Sequence, residues 1–239
     1  MGYYTFNSGL IGAGIQVPGH GVHDLIASQV FLEKYPLVSG TGTLFKGASS
    51  TGSASSGWTT LQNGTSDDSN RQVPLGFNWT INSTQYSSVY VGSNNYITFG
   101  GGETDFSGYD FTSWGRPKIL YTATSDNSYQ YLTYKQFADY TRIRFEGNAS
   151  TSGNVGSGNI VWETTFFNPG AVGNIPLVEI RCGTNGRGTS YDMGIGGPSS
   201  SAYASHSSLV NQSVVYVGNT SGTAFGSYIG TYVGYNTGL

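Results

Sequence analysis

The chain has 239 residues, of which 37% are hydrophobic, 14% aromatic and only 10% charged, and its formal net charge is −3. That many aromatics at so small a net charge exclude a disordered chain, and ten scattered basic residues argue against a nucleic-acid partner, whose phosphates require clustered Lys and Arg. Gly occurs 37 times, and Ser and Thr together fill roughly a quarter of the chain, a strand-and-turn composition without the Ala, Leu, Glu and Lys excess of helical proteins.

Residues 1–60 read as an arm. The stretch is Gly-rich and ends in a Ser/Gly/Thr tract at Gly47–Gly57. Asp24 is placed to cap a short helix over 24–34, which must stop before Pro36, and a strand over Gln29–Leu32 is the alternative. Leu25, Ile26, Val30, Phe31, Leu32 and Leu37 are core-type residues with no evident core of their own, so the arm is expected to dock on its own domain or on a neighbouring subunit. The opening Met1–Phe6 has neither the basic region nor the apolar core of a signal peptide, and Phe6 stands where myristoylation needs Ser or Thr. No apolar run approaches membrane length.

From Gln72 the hydrophobic period becomes two. Phe77, Trp79 and Ile81 alternate with Asn78 and Thr80, and Val89 and Val91 flank Tyr90. Ile97 and Phe99 follow, then Ile119 and Tyr121, then Tyr129, Tyr131 and Thr133. Ile143 and Phe145 alternate with Arg142, Arg144 and Glu146; Ile160, Trp162 and Thr164 with Val161 and Glu163; Val178 and Ile180 with Glu179 and Arg181. Turn residues separate the runs at Ser93-Asn94-Asn95, Ser125-Asp126-Asn127, Ser152-Gly153-Asn154 and Gly183–Gly186. This spacing predicts an all-β, antiparallel β-sandwich (jelly-roll-like) with an extended N-terminal arm. Its core would span 61–201, and the Gly-rich strands of 202–239 would complete the sandwich or form an inter-subunit contact.

The block Pro74–Gly100 follows the pattern aliphatic-Gly-Phe-x-Trp, then Tyr-x-Ser-Val-Tyr-Val-x-Ser-Asn-x-Tyr-Ile-x-Phe-Gly. It resembles the opening strands of nidogen-like β-sandwich domains and repeated β modules in virion proteins of tailed phages, notably those infecting marine cyanobacteria. Arg142-Ile143-Arg144-Phe145-Glu146-Gly147 followed by Trp162-Glu163-Thr164-Thr165-Phe166 is similar to the same phage module. The resemblance covers about residues 73–196 and carries no catalytic residues across. It implies a non-enzymatic virion structural protein made in the host cytoplasm, a homo-oligomer such as a trimer that contacts other virion proteins as a capsid decoration or a tail fibre component.

The candidate sites each have a simpler reading beside them. His20, His23 and Asp24 offer metal ligands but no completed zinc set. Glu103, Asp105 and Asp110 place three carboxylates in one Gly-rich loop, the best calcium candidates, with Asp67 and Asp68 a poorer pair. Glu146 and Glu163 are the best carboxylate pair for a polysaccharide hydrolase, but Arg142, Arg144 and Arg181 are near enough to make them cross-strand ion pairs. His206 lacks a nucleophile elbow, and Cys182, the sole cysteine, reads as a strand-end residue with no disulfide partner. The sequons, Asn78 among them, are expected by chance in a chain so rich in Asn, Ser and Thr. Tyr86, Tyr90, Tyr96, Tyr109 and Trp114 are the aromatic faces on which a host surface glycan would stack, which makes a receptor-reading carbohydrate-binding module the alternative function. No cofactor is expected.

Overall fold

The computed structural model describes residues 57–106, 111–121, 126–148, 159–182, 192–198, 202–207 and 212–231. The helix expected at 24–34 and nearly all of the arm lie outside the described residues.

The strands are β1 (Thr59–Asp67), β2 (Asn70–Ile81), β3 (Thr84–Gly92), β4 (Tyr96–Phe99), β5 (Lys118–Leu120), β6 (Ser128–Gln136) and β7 (Tyr140–Asn148). They continue as β8 (Asn159–Phe167), β9 (Leu177–Cys182), β10 (Asp192–Gly196), β11 (Ala202–Ser207), β12 (Gln212–Gly218) and β13 (Phe225–Thr231). They form a seven-stranded sheet, β1-β6-β7-β8-β9-β12-β13, and a six-stranded sheet, β11-β10-β5-β4-β3-β2. Every pairing is antiparallel. The chain is thus an antiparallel β-sandwich, as the alternation implies. Neighbours in each sheet are mostly neighbours in sequence, so two meanders, β2–β5 and β6–β9, supply the body. The C-terminal strands are shared out: β11 ends the six-stranded sheet, and β12 and β13 end the seven-stranded one.

The pleat decides which residues go inward. In β2, Val73 and Leu75 are buried while Gln72, Pro74 and Gly76 are exposed. Pro74 is tolerated because β2 is an edge strand, and its missing N–H leaves no ladder bond unmade. The two inner faces enclose one aromatic core. Trp79 stacks on Phe99 at 5.4 Å and takes the edge of Phe166 at 5.3 Å. Tyr121 and Phe145 lie parallel to Trp162 at 4.1 and 4.7 Å.

Several buried side chains carry a polar atom to the opposite sheet. Trp79 Nε1 donates to Leu177 O at 3.3 Å, Tyr129 Oη to Val91 O, and Tyr216 Oη to Met193 O at 3.5 Å. Thr141 Oγ1 donates to Leu75 O, and Tyr121 Oη bonds Thr164 Oγ1. A buried hydroxyl left unbonded costs about 1–3 kcal/mol, so these bonds favour one stacking of the sheets over its sliding alternatives. Burial pushes the Tyr129 phenol far above its ordinary range, which keeps it a neutral donor.

One end of the sandwich is latched by a turn. Asn82 and Ser83 both adopt positive φ, 51° and 59°, the signature of a type I′ hairpin between β2 and β3. Their amides donate to Gly222 O at 2.8 Å and Ser221 O at 2.7 Å in the β12–β13 loop. Gly222 has φ 62°, and a Cβ there would lie 2.5 Å from Thr80 O and 2.7 Å from Ile81 Cα, so only glycine fits. Gly222→Ala should therefore lower stability by about 1–3 kcal/mol, measured as a shift in denaturant midpoint at unchanged slope.

Candidate functional site

The same alternation that sends Ile143, Phe145, Trp162 and Ile180 inward sends Arg142, Arg144, Glu146, Glu163, Glu179 and Arg181 to the outer face of the seven-stranded sheet. Register brings them into rows. Arg144 lies opposite Glu163, and Glu163 opposite Arg181; Thr165 lies between Arg142 and Glu179. Glu163 is the centre. Its Oε2 accepts from Arg144 Nε at 2.8 Å, and its Oε1 faces Arg142 Nε at 3.3 Å and Arg181 Nη1 at 3.7 Å. Arg181 grips Glu179 through two parallel bonds, Nε to Oε1 at 2.8 Å and Nη2 to Oε2 at 2.7 Å. Arg142 Nε also donates to Thr165 Oγ1 at 3.2 Å.

These charges are shut off from water. Glu179 is 2% exposed, Glu146 and Glu163 4%, Arg181 5% and Arg144 9%. At one end the β8–β9 loop folds back over the face, where Val172 and Ile175 join Phe167, Leu177 and Val215 in a small second core. Over the middle, the Trp58 ring covers the Arg144 guanidinium at 3.8 Å. The hydrolase candidates Glu146 and Glu163 are thus both on this closed face, and Glu163 has both oxygens engaged by arginines. The sequence placed Arg142 and Arg144 together; Arg181, 37 residues later than Arg144, joins them only through the β8–β9 pairing.

The loop after β4 carries the other candidates, and it lies against the outer face of the six-stranded sheet. Trp114 packs on Tyr96 at 4.5 Å and donates through Nε1 to Asp105 Oδ2 at 3.1 Å. Tyr96 is fully buried, and its hydroxyl donates to Asp105 O at 3.2 Å. Glu103 pairs with Arg116 at 3.0 Å. Two of the expected calcium ligands therefore hold an indole and a guanidinium, and Asp110 and Tyr109 lie outside the described residues. Of the other aromatic candidates, Tyr86 packs against Phe99 at 5.5 Å, and Tyr90 is half-buried on β3. Among the described residues, Tyr86, Tyr90, Tyr96 and Trp114 do not share one open platform. His206 lies on β11, paired with Met193, and Cys182 is the last residue of β9. His20, His23 and Asp24 are outside the described residues.

Sequence reasoning missed one convergence. The carboxylates of Asp67, Asp68 and Asp126 lie within 4.8 Å of one another at the end of β1. Asp126 is brought there by the β1–β6 pairing, in which Asp67 faces Ser128. Burial raises the Asp67 carboxyl above its ordinary value; a bond from the Asp68 amide opposes this, and the Asp68 and Asp126 charges add to it.

No protein-family model, curated protein or solved structure matches the chain.

Two predictions follow from the charges. Removing the charge of Glu163 leaves three guanidinium groups, two of them buried, under-compensated, so Glu163→Gln should destabilise the fold by about 3–5 kcal/mol in urea titration. The loss should change little with salt, because the pair is screened from it. At Asp67 the sign is opposite. A carboxyl raised in the folded state stabilises only while protonated, below the ordinary value of 3.8, and that contribution is lost as pH climbs through the raised value. Asp67→Asn should therefore raise neutral-pH stability by about 0.2–1 kcal/mol, the gain closing as pH falls toward the ordinary carboxylate range.

Proposed function

We propose that this chain is a non-enzymatic structural subunit of a phage particle, a homo-oligomeric accessory protein of the capsid or tail that is anchored through its N-terminal arm. The observation that supports it most directly is the outer face of the seven-stranded sheet. The chain carries 10 basic and 13 acidic residues, and six of these 23 sit together on that face: five are buried, Arg142 is half-buried, and Arg142, Arg144, Arg181, Glu163 and Glu179 pair with one another. A catalytic carboxylate has to be reached by substrate and tuned for proton transfer. Here Glu163 is closed off and held by arginines, an arrangement that suits fixed geometry rather than turnover. The resemblance of Pro74–Gly100 and of 140–167 to phage virion modules supplies the particle half of the reading. Low charge and a Gly-, Ser- and Thr-rich surface suit repeated self-packing, where charged residues are depleted.

The purified 239-residue chain should have a light-scattering mass that is a multiple of 25.3 kDa, two or greater. Antibodies raised against it should decorate intact particles of the encoding virus. A concentration-independent monomer, together with unlabelled particles, would remove the proposal.

A further inference from the structure

We infer that the carboxylates of Asp67, Asp68 and Asp126, together with the side-chain amide of Asn148, form a calcium site at one end of the sandwich. This goes beyond the particle reading and stands without it.

The first argument is convergence without compensation. Asp67 ends β1, Asp68 follows it, Asp126 precedes β6, and carboxylate oxygens of the three lie within 4.8 Å of one another. One buried side chain fixes the turns that carry them. Asn94, between β3 and β4, donates through Nδ2 to Asp68 Oδ1 at 3.1 Å, and its Oδ1 accepts from the amide of Asn127, beside Asp126, at 2.7 Å. Elsewhere Glu103 pairs with Arg116, and Glu163 and Glu179 with Arg181. Among the described residues no Lys or Arg forms an ion pair with Asp67 or Asp68. Burial raises the Asp67 carboxyl, and the Asp68 and Asp126 charges add to it. A dication removes that repulsion.

The second argument is independent of the carboxylates. Asn148 is 1% exposed, and neither its Oδ1 nor its Nδ2 has a hydrogen-bond partner. A buried amide with both atoms unmet is rare in a folded protein and asks for a ligand. Register turns it toward the acids. Asp67 lies opposite Ser128, and Ser128 opposite Asn148. Residues directly opposite in an antiparallel pair share a face, so Asp67 and Asn148 stand at one level on either side of the small Ser128. Their Cα atoms are two strand spacings apart, about 10 Å. Two short side chains and a cation with oxygens at about 2.4 Å span that distance.

The third argument is the donor set. It is oxygen throughout, which suits calcium or magnesium rather than zinc or copper. Calcium accepts irregular shells of about six to eight oxygens, whereas magnesium demands a near-ideal octahedron that a site shared by three separate turns does not supply. Asp67 and Asp68 are exposed, Asp126 is half-buried, and Ser128 and Asn148 are buried, so water completes the shell at the rim over a dry floor. Asn148 Oδ1 is a ligand of the calcium type and its Nδ2 a donor to a neighbouring carboxylate, so one occupied site accounts for both unmet atoms. The ion ties β1, an edge strand, to β6 and β7.

The test uses the purified 239-residue chain, stripped with EDTA and titrated with calcium chloride. Calorimetry should report one site with a dissociation constant on the order of 0.1–1 mM, the range of open, exposed sites. At about ten-fold excess over that constant the melting temperature should rise by about 2–4 °C, and sodium chloride of equal ionic strength should not reproduce the rise. Asp126→Asn and Asn148→Ala should each weaken binding by about ten-fold or more. Asp67→Asn gives a reversal that a misfolded variant would not: it should melt above the parent in EDTA, through relief of repulsion, yet lose the calcium rise. Glu103→Gln, in the loop after β4, should bind as the parent does. Absence of a calcium-specific rise in the parent would overturn the assignment. So would parental affinity in Asp67→Asn, Asp126→Asn or Asn148→Ala, or a loss of binding confined to Glu103→Gln.

Discussion

Glu163 is the point on which the seven-stranded sheet is aligned. A carboxylate held by Arg144 and Arg142 from β7 and by Arg181 from β9 ties three strands at one level. Side chains alternate with a period of two, so a slip of one residue in β8 would send Glu163 into the aromatic core and Trp162 out of it. Both errors are severe: a buried charge loses its partners, and the core loses its largest ring. Core and ladder therefore specify the same register from opposite faces. The bidentate grip of Arg181 on Glu179 adds direction, because two parallel bonds hold the guanidinium plane where a single bond would let it swing.

Burying five charges is a poor way to gain stability, since well-packed apolar residues of equal volume often do as well or better. What the ions supply is discrimination. An apolar outer face would accept another hydrophobic surface in many registers, whereas paired charges tolerate only an occupant that leaves every pair intact. The two sheets divide this labour. The outer face at β2 is polar, uncharged and open, while that at β7–β9 is charged and closed.

Much of the sandwich was legible because its strands obey local rules. The alternations around Trp79, Ile97, Phe145, Trp162 and Ile180 marked inward faces, and Asn and Gly punctuated the turns. The expectation that Glu163 would be taken up by neighbouring arginines was readable from the polar positions of the same strands. Other features depend on which strands meet, and a local period says nothing of that. Asp126 stands in an unremarkable turn and joins Asp67 and Asp68 only because β1 pairs with β6 across more than fifty residues of chain. The loop of Glu103 and Asp105 looked like a cation loop because acidic residues among glycines read as solvated. Arg116 and Trp114, brought back by the approach to β5, occupy those carboxylates instead. The tyrosines carry a related lesson: composition counts aromatic rings, but it does not tell a ring on the surface from one like Tyr96 that is fully buried.

The clasp between the Asn82-Ser83 turn and the β12–β13 loop bears on how the protein comes into being. A ribosome delivers the β2–β3 hairpin well before the loop that caps it and Phe225, which stacks on Trp79 at 6.1 Å. Until then the six-stranded sheet has an uncapped end and an incomplete aromatic stack. The chain cannot lock into place piece by piece as it emerges; it closes in one late step, when its last strands meet its first hairpin. Loss of the β12–β13 loop therefore strikes at a hairpin made long before it.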